Sequence, residues 1–133
     1  MMVIDARAHT TLPAADMERA KSWYSEKLGL TPAAETLGGV LYVVGGGTRF
    51  NLYPTPNTQR GGHTQMGFAT DDIDADVAEL RGRGVVFEEY DFPGLKTEGG
   101  IATTGDARAA WFKDSEGNML GIIQLPPGTE PSS

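Results

Sequence analysis

His9 and His63 are the only imidazoles in a chain of 133 residues that contains no cysteine. An imidazole can ligate a metal, pass a proton near neutral pH or hydrogen-bond a ligand, and a lone histidine on a cavity wall most often does the last. Without thiols there is no disulfide, no thiolate metal site and no cysteine nucleophile. Tyr90, Glu98 and Asp106 are the acid–base candidates. No phosphate-cradling loop, dinucleotide fingerprint, serine elbow or His-Glu-x-x-His zinc motif occurs. What remains open is ligand binding, or chemistry assisted by a metal or an acid–base pair.

The field around such a site is acidic, with a formal charge of −7. That charge repels phosphate backbones, which argues against a nucleic-acid partner, and it favours a cationic small ligand; equally, it does no more than keep the protein soluble. No apolar run approaches the roughly 20 residues needed to cross a bilayer, and Met1-Met2-Val3-Ile4-Asp5 lacks the basic and apolar regions of a secretory signal. The chain is expected to be cytoplasmic, without a membrane partner. Its 18 glycines and 8 prolines point to many turns.

The elements that must position these side chains recur twice. Asp5–Leu12 reads as a strand ended by Pro13. Asp16 then caps a helix over Met17–Leu28, with Ala20, Trp23, Tyr24 and Leu28 at helical spacing as core residues and Gly29 as its stop. Val40–Val44 and Thr48–Tyr53 read as strands joined by Gly45–Gly47. The order restarts with a strand over His63–Thr70. Asp71 or Asp72 caps a helix carrying Ile73, Val77 and Leu80, and Gly84 stops it. Val85–Glu88, Ala107–Phe112 and Met119–Leu125 read as further strands, the last two joined by the turn Asp114–Asn118. The long Glu89–Gly105 segment is either a lid over a cavity mouth or a plain hairpin excursion.

Asp16 and Asp72 lie 56 residues apart, which sets His9 on Gln65, and Asn51 matches Gly121 at an offset of 70. One module has been duplicated. The expected organisation is a first module at 1–56, a linker at 57–62, a second module at 63–125 and a disordered tail at 126–133.

Three stretches carry a resemblance to a known family: Leu12-Pro-Ala-Ala-Asp16 with its helix to Leu30, Met66-Gly-Phe-Ala-Thr-Asp-Asp72 with its helix, and Trp111-Phe-Lys-Asp-Ser-Glu-Gly-Asn118. The chain resembles the vicinal oxygen chelate superfamily of glyoxalases, bleomycin resistance proteins and dioxygenases. The resemblance implies an α+β fold of two tandem βαβββ modules, forming a curved mixed sheet around a shared cavity, and a homodimer. In metal-dependent members the first and last strands of each module supply one ligand each. The matching positions here are His9, Asn51, Gln65 and Gly121.

That set offers one imidazole, two neutral amides and a residue without a side chain, too few donors for a divalent cation. His63, two residues before Gln65, either shares its strand face and stands in for a missing ligand or lies in the exposed linker. Alternation turns Arg7, His9, Thr11, Arg49, Asn51, Tyr53, Gln65, Gly67, Ala69, Met119, Gly121 and Ile123 inward. Ala8, Leu12, Phe50, Leu52, Met66, Phe68, Leu120 and Ile122 then face the helices. The expected function is metal-free binding of a small organic ligand, antibiotic sequestration included, through His9, Asn51, Gln65, Gly121, Arg7, Tyr53 and His63. A metal-dependent lyase, isomerase or dioxygenase is the alternative.

Overall fold

The computed structural model describes residues 4, 8–36, 38–56 and 63–126. The first half runs β1 (Thr10–Ala14), α1 (Met17–Leu28), β2 (Ala34–Thr36), β3 (Gly39–Val43) and β4 (Arg49–Pro54). The second runs β5 (Met66–Ala69), α2 (Ile73–Gly82), β6 (Asp91–Phe92), β7 (Leu95–Glu98), β8 (Ile101–Thr104), β9 (Ala107–Lys113) and β10 (Met119–Gln124). Two mixed sheets result, ordered β1-β4-β3-β2 and β5-β10-β9-β8-β7-β6. This is the expected α+β architecture.

Both helices start at the predicted caps. Asp16 accepts the Arg19 N–H and Gly29 turns the chain out of α1 at φ 70°. Asp72 accepts the Ala75 N–H, Arg83 closes α2, and Gly84 follows at φ 93°. The ladders repeat as well. Thr11 pairs with Asn51 in the parallel β1–β4 ladder, and Gly67 with Gly121 in the parallel β5–β10 ladder. The two pairs differ by 56 and 70 residues, the offsets legible in the sequence.

Several expected elements are corrected. Among the described residues the first strand begins at Thr10 and passes through Pro13 instead of ending there, because β1 is an edge strand and its outer side needs no N–H. The strand expected from His63 begins at Met66. Val85–Glu88 reduces to one bridge, Phe87 to Phe112, after which the chain leaves for the β6–β7 hairpin. The Glu89–Gly105 segment is therefore sheet: its strands extend the second sheet through two-residue turns at Pro93-Gly94 and Gly99-Gly100, the latter with both glycines at positive φ. β2 carried no hydrophobic signal, since Ala34, Glu35 and Thr36 are all exposed. Arg7, the start of the first expected strand, the 57–62 linker and the tail beyond Pro126 lie outside the described residues.

Alternation divides the sheet faces only in part: Met119 and Gly121, expected inward, are buried, Ala8, expected against the helices, is exposed, and Met66 and Phe68, expected there too, are only half-buried. Leu12, Phe50, Leu52, Leu120 and Ile122 are buried, while Thr11, Arg49, Tyr53, Gly67, Ala69 and Ile123 are exposed. Aromatic rings join the halves: Tyr42 stacks on Phe50 at 5.0 Å between centroids, and Phe50 meets Phe68 of the other sheet edge-on at 6.2 Å. Trp23 and Tyr24 pack in this core as predicted. The Tyr42 hydroxyl is buried and has no hydrogen-bond partner among the described residues, and a buried hydroxyl left unpaired costs free energy. Tyr42→Phe should accordingly leave stability unchanged or raise it by about 1 kcal/mol. A fall in thermal midpoint would show that the hydroxyl is bonded after all.

The turn Asp114–Asn118 clasps one half to the other. Buried Asn118 donates through Nδ2 to Pro13 O at 3.0 Å and to Asp114 Oδ2 at 2.8 Å, and its Oδ1 accepts from Gln65 Nε2 at 3.1 Å. Tyr24 donates its hydroxyl to Asp114 Oδ2 at 2.6 Å. Burial, then the nearby Asp114 carboxylate, push that phenol well above its ordinary pKa, so it stays a donor. Glu116 Oε1 accepts the Ala15 and Asp16 N–H groups, both at 3.0 Å, and Arg19 Nε meets its Oε2 at 2.7 Å. Burial alone would raise the Glu116 pKa. Hydrogen bonds from Arg19, Asp16 N–H and Ser115, together with the Arg19 charge, outweigh it and hold the carboxyl down at about 2.

Candidate functional site

With the halves clasped at that corner, an open groove of about 1000 Å³ remains between the sheets. One wall is the start of β1 and β4, with His9, Thr10, Arg49 and Phe50; the other is β5 and its exit, Met66 to Asp71. The β3–β4 turn closes the end with Val44, Gly45, Gly46 and Thr48. Gly46 at φ 68° leaves this turn in a left-handed conformation that glycine adopts freely, and the missing side chains keep the mouth wide. An adjoining apolar pocket of about 220 Å³ shares Val44, Phe68, Ala69 and Thr70 and continues to Leu28, Leu80, Phe112 and Ile122. Asp76, whose carboxylate accepts the Thr70 hydroxyl, stands at its wall.

The structure disperses the residues singled out from the sequence. Among the described residues of that set, His9 alone lines the groove. Gln65 is committed to the clasp: besides its bond to Asn118, its Oε1 accepts the Met119 N–H at 3.1 Å. Asn51 is half-buried between Thr11 and Leu41, and Tyr53 is exposed two residues further along β4. Gly121 is buried beneath Trp111, whose Cδ1 would lie 3.4 Å from an added Cβ. His63 is exposed ahead of β5, in the linker-like position. Glu98 and Asp106 are exposed on β7 and in the β8–β9 turn and do not line the groove.

These positions do not fit a divalent cation. One free imidazole, one amide already hydrogen-bonded through both ends, a second amide on the other sheet and a glycine covered by indole supply neither the donor number nor the charge that such an ion needs. Among the described residues no three His, Cys, Asp or Glu side chains gather as a metal site.

The groove's other polar residues fall outside the expected ligand set, although alternation turns Arg49 inward. Thr48, Thr70 and Asp71 carry no sequence signal, because they come together only when the β3–β4 turn approaches the exit of β5.

Two sheets of this topology, with paired ladders repeated at fixed offsets and a groove between them, define a duplicated α+β ligand-cavity fold. The chain matches the Glyoxalase/Bleomycin resistance protein/Dioxygenase superfamily over residues 6–122, and it belongs to that superfamily. Among solved structures it is similar to TnmS3, an antibiotic binding protein from Streptomyces sp. CB03234, at 29% identity and a TM-score of 0.68, covering 95% of this chain and 100% of that one. A glyoxalase/bleomycin resistance protein from the same Streptomyces is also 29% identical, with a TM-score of 0.65 over 90% of this chain and 100% of that one. A glyoxalase/bleomycin resistance protein/dioxygenase from Alicyclobacillus acidocaldarius shares the fold at 18% identity, with a TM-score of 0.67 and coverage of 91% and 92%. No curated protein matches the chain. Among the described residues no helix is long and apolar enough to cross a membrane.

Proposed function

We propose that this protein binds a small organic molecule in the groove between its sheets, without a metal ion, and acts by holding the molecule rather than by transforming it. The observation that carries this reading is the groove itself. It is roomy, half apolar in its walls through Val44, Phe50, Met66 and Phe68, and supplied with hydrogen-bonding groups at His9, Thr10 and Arg49. The donor chemistry at the superfamily's ligand positions supports binding without a cation. Similarity to an antibiotic binding protein along nearly the whole chain supports an antibiotic as the ligand.

A homodimer belongs to this reading. Val86 and Phe92 are large apolar side chains left in solvent outside the groove, and a second copy would cover them.

Protein purified without chelator should contain no stoichiometric divalent metal, and added zinc, nickel or manganese should not shift its melting temperature. A stoichiometric ion lost on His9→Ala would overturn the metal-free reading. Light scattering on the same preparation should give twice the monomer mass, and a monomer at all concentrations would remove the dimer.

A further inference from the structure

Resting on that reading, we infer that the groove selects an organic anion: an aromatic body with a carboxylate, sulfonate or phenolate group, the acid held by Arg49 with His9 beside it and the rings laid against Phe68 and Met66. The net charge of −7 points the other way, toward cations. Screening decides between the two, because at physiological salt a charge acts over about 8 Å and the local arrangement outweighs the total.

Locally, arginine use is uneven. Of the five described arginines, Arg19 is bound to Glu116, Arg83 to Glu79 and Arg108 to Asp74, while Arg81 donates to Gly99 O and lies over the Phe87 ring. Arg49 has no hydrogen-bond or ion-pair partner among the described residues, and it lies in the groove wall. In a chain with eighteen acidic side chains against eleven basic ones, an arginine without a carboxylate partner is free to take one from a ligand. A guanidinium offers a planar fork of donors that matches a carboxylate or sulfonate, and such charge-assisted pairs are about twice as strong as neutral hydrogen bonds. The Asp71 carboxylate belongs to the opposite wall, on the exit of β5, and disfavours the acid there. The ligand therefore has one preferred orientation, its acidic end toward the start of β4.

Two dyes that differ only in a sulfonate test this: 1-anilinonaphthalene-8-sulfonate and uncharged N-phenyl-1-naphthylamine, each titrated by fluorescence against the full chain. The sulfonated dye should bind about tenfold more tightly. Arg49→Gln should abolish that preference and bring the two dyes to equal affinity, and an unchanged thermal midpoint shows that the variant is still folded. Arg49→Lys should retain part of the preference, and Lys96→Gln, an exposed cation on β7 outside the groove, should retain all of it. Equal affinity of the wild type for both dyes, or an equal loss in Lys96→Gln, would overturn the inference while leaving ligand binding intact. Binding of neither dye sinks the ligand-binding reading and this inference with it.

Discussion

Asn118→Ala should destabilise the protein by about 4 kcal/mol, the largest loss expected from any single polar substitution in the chain. Asn118 is fully buried, and its amide serves Pro13 O, Asp114 Oδ2 and Gln65 Nε2 together. Truncation leaves the Pro13 carbonyl and the Gln65 amide without their partner, and withdraws one of the donors that keep the buried Asp114 carboxylate satisfied. Each orphaned neutral group costs about 1–3 kcal/mol, and the charge-assisted bond more. Backbone strain does not enter, since among the described residues only glycines have positive φ. Asn118→Asp should be no better than alanine, because a carboxylate cannot donate to Pro13 O and faces Asp114. Urea denaturation measures both variants. A loss below 1 kcal/mol for Asn118→Ala would mean that the halves are held together by apolar packing alone.

The second large effect depends on pH. The Glu116 carboxyl ordinarily titrates near 4.5 and is held at about 2 in the folded protein. The folded state therefore binds fewer protons than the unfolded one across that interval. The stabilisation is complete above pH 4.5 and is lost as pH falls toward 2. Its ceiling is roughly 3 kcal/mol, less what solvent screening removes because the Arg19 side chain is 54% exposed. Glu116→Gln keeps an oxygen to accept the Ala15 and Asp16 N–H groups but removes the charge. The variant should lose about 2 kcal/mol at pH 7 and show a flatter stability profile between pH 4.5 and 2 than the wild type. Parallel profiles for the two proteins would show that the Arg19–Glu116 pair contributes nothing.

Both predictions concern residues 114–118, which were legible in the sequence only as a turn. Asp114 and Gly117 announced the reversal between two strands, because short-range backbone preferences are written in residue type. That Glu116 would hold the chain entering α1 from a distance of about a hundred positions in sequence was not legible. Glu116 looked like any surface glutamate, and Gln65 like a weak metal ligand until Asn118 and the Met119 N–H claimed its amide.

By itself the sequence determined the two capped helices, the repeat with its offsets, the face of every strand that alternates cleanly, and the family. Each follows from local chemistry: a capping carboxylate three residues from its N–H, a glycine at positive φ, a period of two along a strand. The first strand's true extent, the absent strand at Val85–Glu88 and the exposed β2 escaped, because pairing partners rather than residue types settle where an edge strand begins and ends. The site followed the same division. His9 and the inward-facing Arg49 could be read from alternation, but the groove they line is a gap between two separately built sheets. Its width, and an arginine unpaired among the described residues, exist only once the clasp has set one sheet against the other, and that depends on contacts between residues far apart in the chain.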